Sequence, residues 1–175
     1  MLNGTDNYLG KAWDDRVGCA VIVEVMRRLA NGPHTAADFI KPDIGIALEA
    51  GVVGGVPGAQ VEESQARLGA GPGIFLFDTS ALPNRKFVQY VKDRAKAKQI
   101  PLQLDLVQGY GDDSAETQKS TAGVPAVNLV EPTRYTHAHN GVINRKDFDR
   151  MVDLMAALID GLDDAKVKAI RDFAQ

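Results

Sequence analysis

The sequence has almost no cysteine, few aromatic residues and no long apolar run, and each shortage closes off a class of protein. Cys19 is its one cysteine, so no internal disulfide framework braces the chain. Within Val17-Gly18-Cys19-Ala20, at the start of an apolar helix, it reads as a packing residue. No stretch of about 18 apolar residues is available to span a bilayer. No positively charged segment followed by an apolar run opens the chain, so a cytoplasmic protein with no membrane partner is expected. An excess of basic charge is missing too. The net charge is -3, and with aromatics at 6% no basic run interleaved with rings offers a nucleic-acid platform.

What is present describes an ordinary globular chain. Its 175 residues, 45% hydrophobic and 25% charged, suit a single domain over residues 1–175 and leave no room for two comfortable ones. Residues 1–10 are polar and turn-rich and read as a lead-in. Val17, Val21, Val25 and Leu29 recur every fourth residue and predict a helix over 15–30, its stripe widened by Ile22 and Met26, with Glu24, Arg27 and Arg28 outward. Asn31-Gly32-Pro33 stops that helix, and Thr35 to Ile40 reads as a short second one.

Further along, strands and helices alternate. Asp43 to Leu48 is a continuous apolar run of the kind that forms a strand buried on both faces. Ile74–Phe77, Leu102–Val107 and Val124–Val130 read as three more strands, and Glu131–Gly141 as a long loop. Helices are predicted over 83–99, 146–162 and 163–173, with a helix N-cap closing the loop Gly109–Ser114. The glycines of 51–58 and 69–73 complete neither a dinucleotide nor a phosphate-loop pattern and predict tight turns. This alternation implies an α/β fold with a largely parallel sheet and helices on both faces. One irregularity is visible, because between residues 30 and 43 two helical segments follow each other with no strand between them.

Chemistry-bearing residues fall at element ends. Asp14 and Asp15 stand at the start of the first helix, Glu49 ends an apolar run, and His137 lies in Thr133-Arg134-Tyr135-Thr136-His137. Strand-end loops are where α/β proteins place their sites. A paired metal centre that hydrolyses peptides needs hard oxygen ligands, imidazole and a carboxylate to deprotonate water. Asp14 suits a bridging ligand, Glu49 a terminal one and His137 an imidazole ligand. Read structurally, the same residues are a helix cap, a solvated carboxylate and a loop histidine bonded to a carbonyl. The Gly109–Ser114 loop, at a helix N-terminus, offers a third reading as an anion site.

Motifs along nearly the whole chain decide among these. They are Gly10-Lys11-Ala12-Trp13-Asp14-Asp15-Arg16-Val17-Gly18, Lys41-Pro42-Asp43-Ile44-Gly45-Ile46-Ala47-Leu48-Glu49, Gly71-Pro72-Gly73-Ile74, Gly111-Asp112-Asp113-Ser114-Ala115 and Pro132-Thr133-Arg134-Tyr135-Thr136-His137. In this order and spacing they resemble the C-terminal part of the tetrahedral dinuclear-metal aminopeptidases, the deblocking and glutamyl aminopeptidase family, some of whose members carry the name endoglucanase. The resemblance implies a three-layer α/β/α zinc-peptidase-like catalytic domain, two zinc or cobalt ions, short peptides as substrates and a homo-oligomer. It implies Asp14 as bridging metal ligand, Asp15 as its support across a cis peptide, Glu49 as ligand of one metal and His137 of the other. Asp113 and Arg134 fall in loops lining the family's cleft, where they would bind substrate. His139 matches no family ligand.

The chain also departs from the family pattern. The N-terminal region with its His-x-Asp ligands and the inserted oligomerisation domain have no counterpart in it. Where the family carries a strand and Glu-Glu-Val-Gly, with the general base and a further ligand, Asn31-Gly32-Pro33-His34 runs directly into Thr35-Ala36-Ala37. His34 has no context that makes it a substitute. The fold is therefore expected to lack one central strand. No catalytic base is expected, metal binding should be weak or absent, oligomerisation is doubtful, and peptidase activity should be impaired. The alternative is a non-catalytic fragment that needs a partner chain.

Overall fold

A computed structural model describes residues 1–2, 4–29, 42–58, 64–120 and 122–173. Its elements are β1 (Asn7–Gly10), α1 (Trp13–Leu29), β2 (Gly45–Val52), β3 (Gly73–Phe77), α2 (Arg85–Ala97), β4 (Gln103–Leu106), α3 (Asp113–Lys119), β5 (Ala126–Arg134), β6 (Gly141–Asn144), α4 (Arg145–Asp160) and α5 (Asp164–Arg171). The expected second helix, the Asn31-Gly32-Pro33 stop and His34 lie outside the described residues.

Each helix starts where a short polar side chain accepts an otherwise unpaired N–H. Asn84 caps α2 through the N–H of Phe87, Asp112 caps α3 through Ser114, Asn144 caps α4 through Lys146 and Asp163 caps α5 through Lys166. The proline predicted to open the second long helix therefore sits just outside it, ahead of the Asn84 cap.

β5 is the axis of the sheet. Along one edge it pairs in parallel with the whole of β2, from Gly45 against Ala126 to Val52 against Thr133. It also pairs antiparallel with β3 near Leu129 and with β6 at Thr133 and Arg134. β4 adds in parallel to β3, and β1 pairs antiparallel with β6. The long pairing is parallel and the sheet is mixed, as an α/β fold allows.

Side-chain alternation assigns the two faces. Val127 and Leu129 enter the main core with Val21 and Val25 of α1, Phe87 and Val91 of α2, Leu154 and Leu158 of α4 and Ile170 of α5. Val130 points the other way, to Phe75, Val107 and Tyr110. That second face also carries α3, whose Thr117 methyl lies against Gly45.

Four expectations change. The lead-in contains β1, which only a distant partner, β6, could stabilise. The loop expected over 131–141 is shorter, because β5 runs on to Arg134 and β6 begins at Gly141. β2 is half-buried along most of its length, because among the described residues β5 is its only strand neighbour. Finally, the buried stripe of α1 is Val17, Gly18, Val21 and Val25, whereas Ile22, Val23 and Met26 are exposed.

One buried acid sits in this frame unsupported. Glu131 of β5 is 1% exposed, and neither carboxyl oxygen has a hydrogen-bond partner among the described residues. Burial, then the charges of Asp147 and Asp149, pushes its pKa well above the ordinary carboxylate range. The folded state therefore holds this proton to a higher pH than the unfolded chain, and stability falls as pH rises from the unfolded pKa through the folded one. Replacing Glu131 by Leu should stabilise the fold by about 1–3 kcal/mol at alkaline pH, the cost of an unpaired buried polar group. The gain should shrink towards acid pH. Urea unfolding at several pH values measures both.

Candidate functional site

The carboxyl ends of β2 and β5 lie side by side because the two strands run parallel, and the N-terminus of α1 is brought against them. Asp14 and Asp15 have non-helical backbone angles and are joined by a cis peptide. The regular helix begins after them, and Asp15 caps it by accepting the Gly18 N–H at 3.0 Å. Gly18 is required there. A Cβ would stand 2.3 Å from Asp15 Oδ2 and 2.8 Å from the Leu48 carbonyl oxygen, so only glycine lets α1 approach β2 this closely. Trp13 fixes the same turn to β6 by donating its indole N–H to the Gly141 carbonyl at 3.0 Å.

Asp14 is thereby presented to His137, which lies in the turn after β5. The Nε2 of His137 is 3.1 Å from Asp14 Oδ2, with His137 largely exposed and Asp14 about three-quarters covered. Glu49 projects from β2 on the sheet face shared with Val130 and Tyr110. Its carboxyl is pushed up to about 7, first by burial and then by the charges of Asp15, Asp113, Asp112 and Asp14. Asp15 is pushed up to about 6 by burial, partly offset by the Gly18 N–H, with Asp14 and Asp113 adding to the rise. The Tyr110 phenol is raised as well, by burial and then by Glu49, Asp112, Asp14 and Asp15. Its hydroxyl is 3.4 Å from the Ala50 carbonyl.

Asp14 and His137 are thus in direct contact, and Glu49, Asp15 and Asp113 share their electrostatic field. Hard oxygen and imidazole donors are the chemistry that suits zinc or cobalt. Glu49 and Asp15 are acids held back from ionising first by burial and then by neighbouring carboxylates, and a cation would relieve this. The donors fit a divalent ion in kind and fall short in number, since among the described residues no three His, Cys, Asp or Glu side chains gather closely enough to hold one.

The other expected site residues divide. Asp113 opens α3 and is exposed, with its charge directed at Glu49 and Asp15. Arg134 ends β5 and lies over the turn at Gly55. A Cβ at Gly55 would come 2.8 Å from its Nη2, and the φ of +81° also favours glycine there. The Nε of Arg134 is buried without a hydrogen-bond partner among the described residues. His139 is exposed. The anion-site reading of the Gly109–Ser114 loop is corrected: the Ser114 N–H is already taken by Asp112, a carboxylate in the place an anion would use. Sequence reasoning passed over Asp112 and Tyr110 as members of the site. The doubled acid Asp112-Asp113 at a helix start, mirroring Asp14-Asp15, was the available signal.

With folded-state values above the ordinary 3.8 and 4.5 of Asp and Glu, both acids favour the folded state at low pH and cost stability as pH rises to about 6 and about 7. The Glu49→Gln variant of the metal-free protein should therefore gain Tm over the parent progressively from about pH 4.5 to pH 7, with no further gain above. Thermal unfolding followed by circular dichroism across this range checks it.

The fold and these residues have known counterparts. The family profile described as M42 glutamyl aminopeptidase matches residues 30–154. The FrvX protein of Escherichia coli K12 is 34% identical over 98% of this chain and 53% of its own length. That alignment runs over 190 positions, more than this chain's 175 residues, so FrvX carries internal residues the chain does not have. Among solved structures, the TET aminopeptidase of a marine-sediment archaeon (Thaumarchaeota archaeon SCGC AB-539-E09) superposes with a TM-score of 0.88 at 32% identity, covering 97% of this chain and 53% of that one. An aminopeptidase from Desulfurococcus kamchatkensis gives the same TM-score at 26% identity over 99% and 54%. The chain thus spans about half the length of the relatives it matches. With the profile matching well over half of its residues, it belongs to the M42 glutamyl aminopeptidase family.

Proposed function

We propose that residues 1–175 form a partial catalytic domain of a dinuclear-metal aminopeptidase, which removes N-terminal residues from short peptides when intact and is impaired in this form. The observation that carries the reading is the contact of Asp14 with His137, at the ends of two elements far apart in sequence, beside Glu49. Asp14 would lie between two ions, zinc or cobalt, with Glu49 on one and His137 on the other. Bound there, such ions would polarise a peptide carbonyl and ease deprotonation of water. Asp15 supports the site by fixing the start of α1. Asp113 and Arg134 would bind the peptide, Arg134 with a guanidinium that enters no ion pair among the described residues.

Impairment follows from what the sequence lacks. Between α1 and β2 the chain carries no Glu-Glu-Val-Gly, so it supplies neither the catalytic base nor the further ligand of that motif. Catalytic zinc ordinarily takes three protein ligands. The extra internal residues of FrvX agree with a segment missing here.

A second reading, a non-catalytic fragment completed by a partner chain, is favoured by the half-buried β2 and by the exposed Ile22, Val23 and Met26 of α1. Related TET structures are described as a dodecamer and as a tetrahedron or large octahedral shell. Among the described residues no helix is long and apolar enough to cross a membrane, and we place the protein in the cytoplasm, without nucleic-acid partners.

Calorimetric titration with Co²⁺ should give weak binding, lowered about tenfold or more by Asp14→Asn or Glu49→Gln, as loss of a hydrogen-bonded charged ligand predicts. Hydrolysis of aminoacyl p-nitroanilides should fall about 10²–10⁴-fold below that of intact relatives, the usual contribution of a general base. Tight binding of two ions with robust turnover would contradict the impairment. A monodisperse monomer by light scattering would count against the partner-chain reading.

A further inference from the structure

The loop that leaves β3 and the loop that leads from β4 into α3 are laced together beneath the acidic site. The Thr79 N–H donates to the Tyr110 carbonyl at 3.2 Å, and the Gly109 N–H donates to Thr79 Oγ1. Ser80 lies against Gly111, where a Cβ would stand 3.3 Å from Ser80 Oγ. At the centre of this lacing two carboxyl side chains, Asp78 and Asp112, come within hydrogen-bonding reach of each other. An ionised carboxylate accepts hydrogen bonds and donates none, so two of them can bond only if one carries a proton.

The surroundings say which one does. Asp78 is 1% exposed, and its Oδ1 accepts from the Ser80 N–H, the Ser80 hydroxyl at 2.7 Å and the Ala81 N–H at 2.7 Å. Burial pushes Asp78 up, but the bond from Asp112 and the Ser80 and Ala81 donors outweigh it and hold the group below its ordinary value. Asp112 is raised, first by burial, and by Asp78 against the opposing donors of Ser114. Asp112 also accepts from the Ser114 N–H and the Asn128 amide, and so joins α3 and β5 to the same knot. The other ionisable groups that bear on the pair are Glu49 of β2 and Tyr110 in its own loop, while Asn128 of β5 is neutral.

We propose that Asp78 and Asp112 form a proton-sharing carboxyl pair that clamps the β4–α3 loop to the β3–α2 loop and thereby positions Asp113 and Tyr110 against Glu49. Asp112 donates and Asp78 accepts. Neither is a ligand nor touches substrate, so both are positioning residues. Loss of the shared proton sets two carboxylates against each other and opens the lacing. The loop geometry stands on its own, whereas the role towards a metal rests on the function proposed above.

Amide hydrogen exchange on the full metal-free chain, read as protection factors of Thr79, Gly109 and Ser114, tests the clamp. In the parent, protection should fall about tenfold or more as pH rises above the ordinary carboxylate range, because these bonds open with the loops. Asp112→Asn keeps a donor that cannot ionise, so its protection should stay level over the same rise. Asp112→Ala removes the donor and should lose protection about tenfold at every pH. The same pH trend in parent and Asp112→Asn overturns the clamp, and this comparison remains decisive should Asp112→Ala not fold. A Co²⁺ titration separates the two layers. Weaker binding by Asp112→Ala than by Asp112→Asn supports positioning, and equal binding alongside altered exchange overturns it. No binding by any form including the parent defeats the metal reading and the positioning role towards it, and leaves the clamp to be judged on exchange.

Discussion

Negative charge crowded onto one end of the sheet, where no Lys or Arg among the described residues offsets the rise of Glu49 and Asp15, is the constraint on which the rest of the structure turns. Asp14, Asp15, Glu49, Asp112 and Asp113 converge there, and each raises the cost of ionising another. A fold tolerates this in limited ways: a proton stays bound, an N–H or O–H donor is aimed at the oxygen, or a cation is admitted. The first two are visible. Gly18 and Ser114 donate backbone N–H groups to Asp15 and Asp112, and burial with neighbouring charge makes Asp15 and Glu49 hold their protons to higher pH. Among the described residues His137 is the one imidazole that reaches a site carboxylate, and it meets Asp14 from the solvent side.

The packing of the sheet explains why this charge collects where it does. Parallel alignment of β2 and β5 brings Glu49 and the turn holding His137 to the same edge, and the close approach of α1 over Gly18 adds the aspartate pair. The apolar core lies on the opposite face, among α1, α2, α4 and α5, and gives the site a rigid back. Ile22, Val23 and Met26 are the exception, as apolar side chains on the outer side of a core helix. A helix apolar on both sides is the pattern of an element with neighbours on both sides.

Much of this was legible in the sequence. The four-residue period of Val17, Val21 and Val25 placed α1 and its buried face correctly, and the apolar runs located β2, β3, β4 and β5. The motifs around Asp14, Glu49 and His137 pointed to one family, and the sheet brings Asp14 and His137 together. What escaped were features decided by partners distant in sequence. Nothing in Asn7-Tyr8-Leu9-Gly10 marks a strand until β6 is beside it. Exposure of Ile22 and Met26 cannot be read from periodicity, which reports which side chains share a face and not what covers that face. Glu131 reads in the sequence as the first residue of a loop, and only the continuation of β5 to Arg134 shows it to be buried. The pairing of Asp78 with Asp112 joins two turns that local pattern treats as unrelated.

The short ladder between β1 and β6 has a kinetic corollary. Asp14 and His137 each lie a few residues from it, on opposite ends of the long stretch of chain that it closes. Ladders joining such remote segments pay their loop-closure entropy late in folding, after helices and local strand pairs have formed. The aspartate–imidazole contact is therefore among the last parts of the molecule to assemble, since it waits on a strand, β6, that the chain reaches only after α1, α2 and α3.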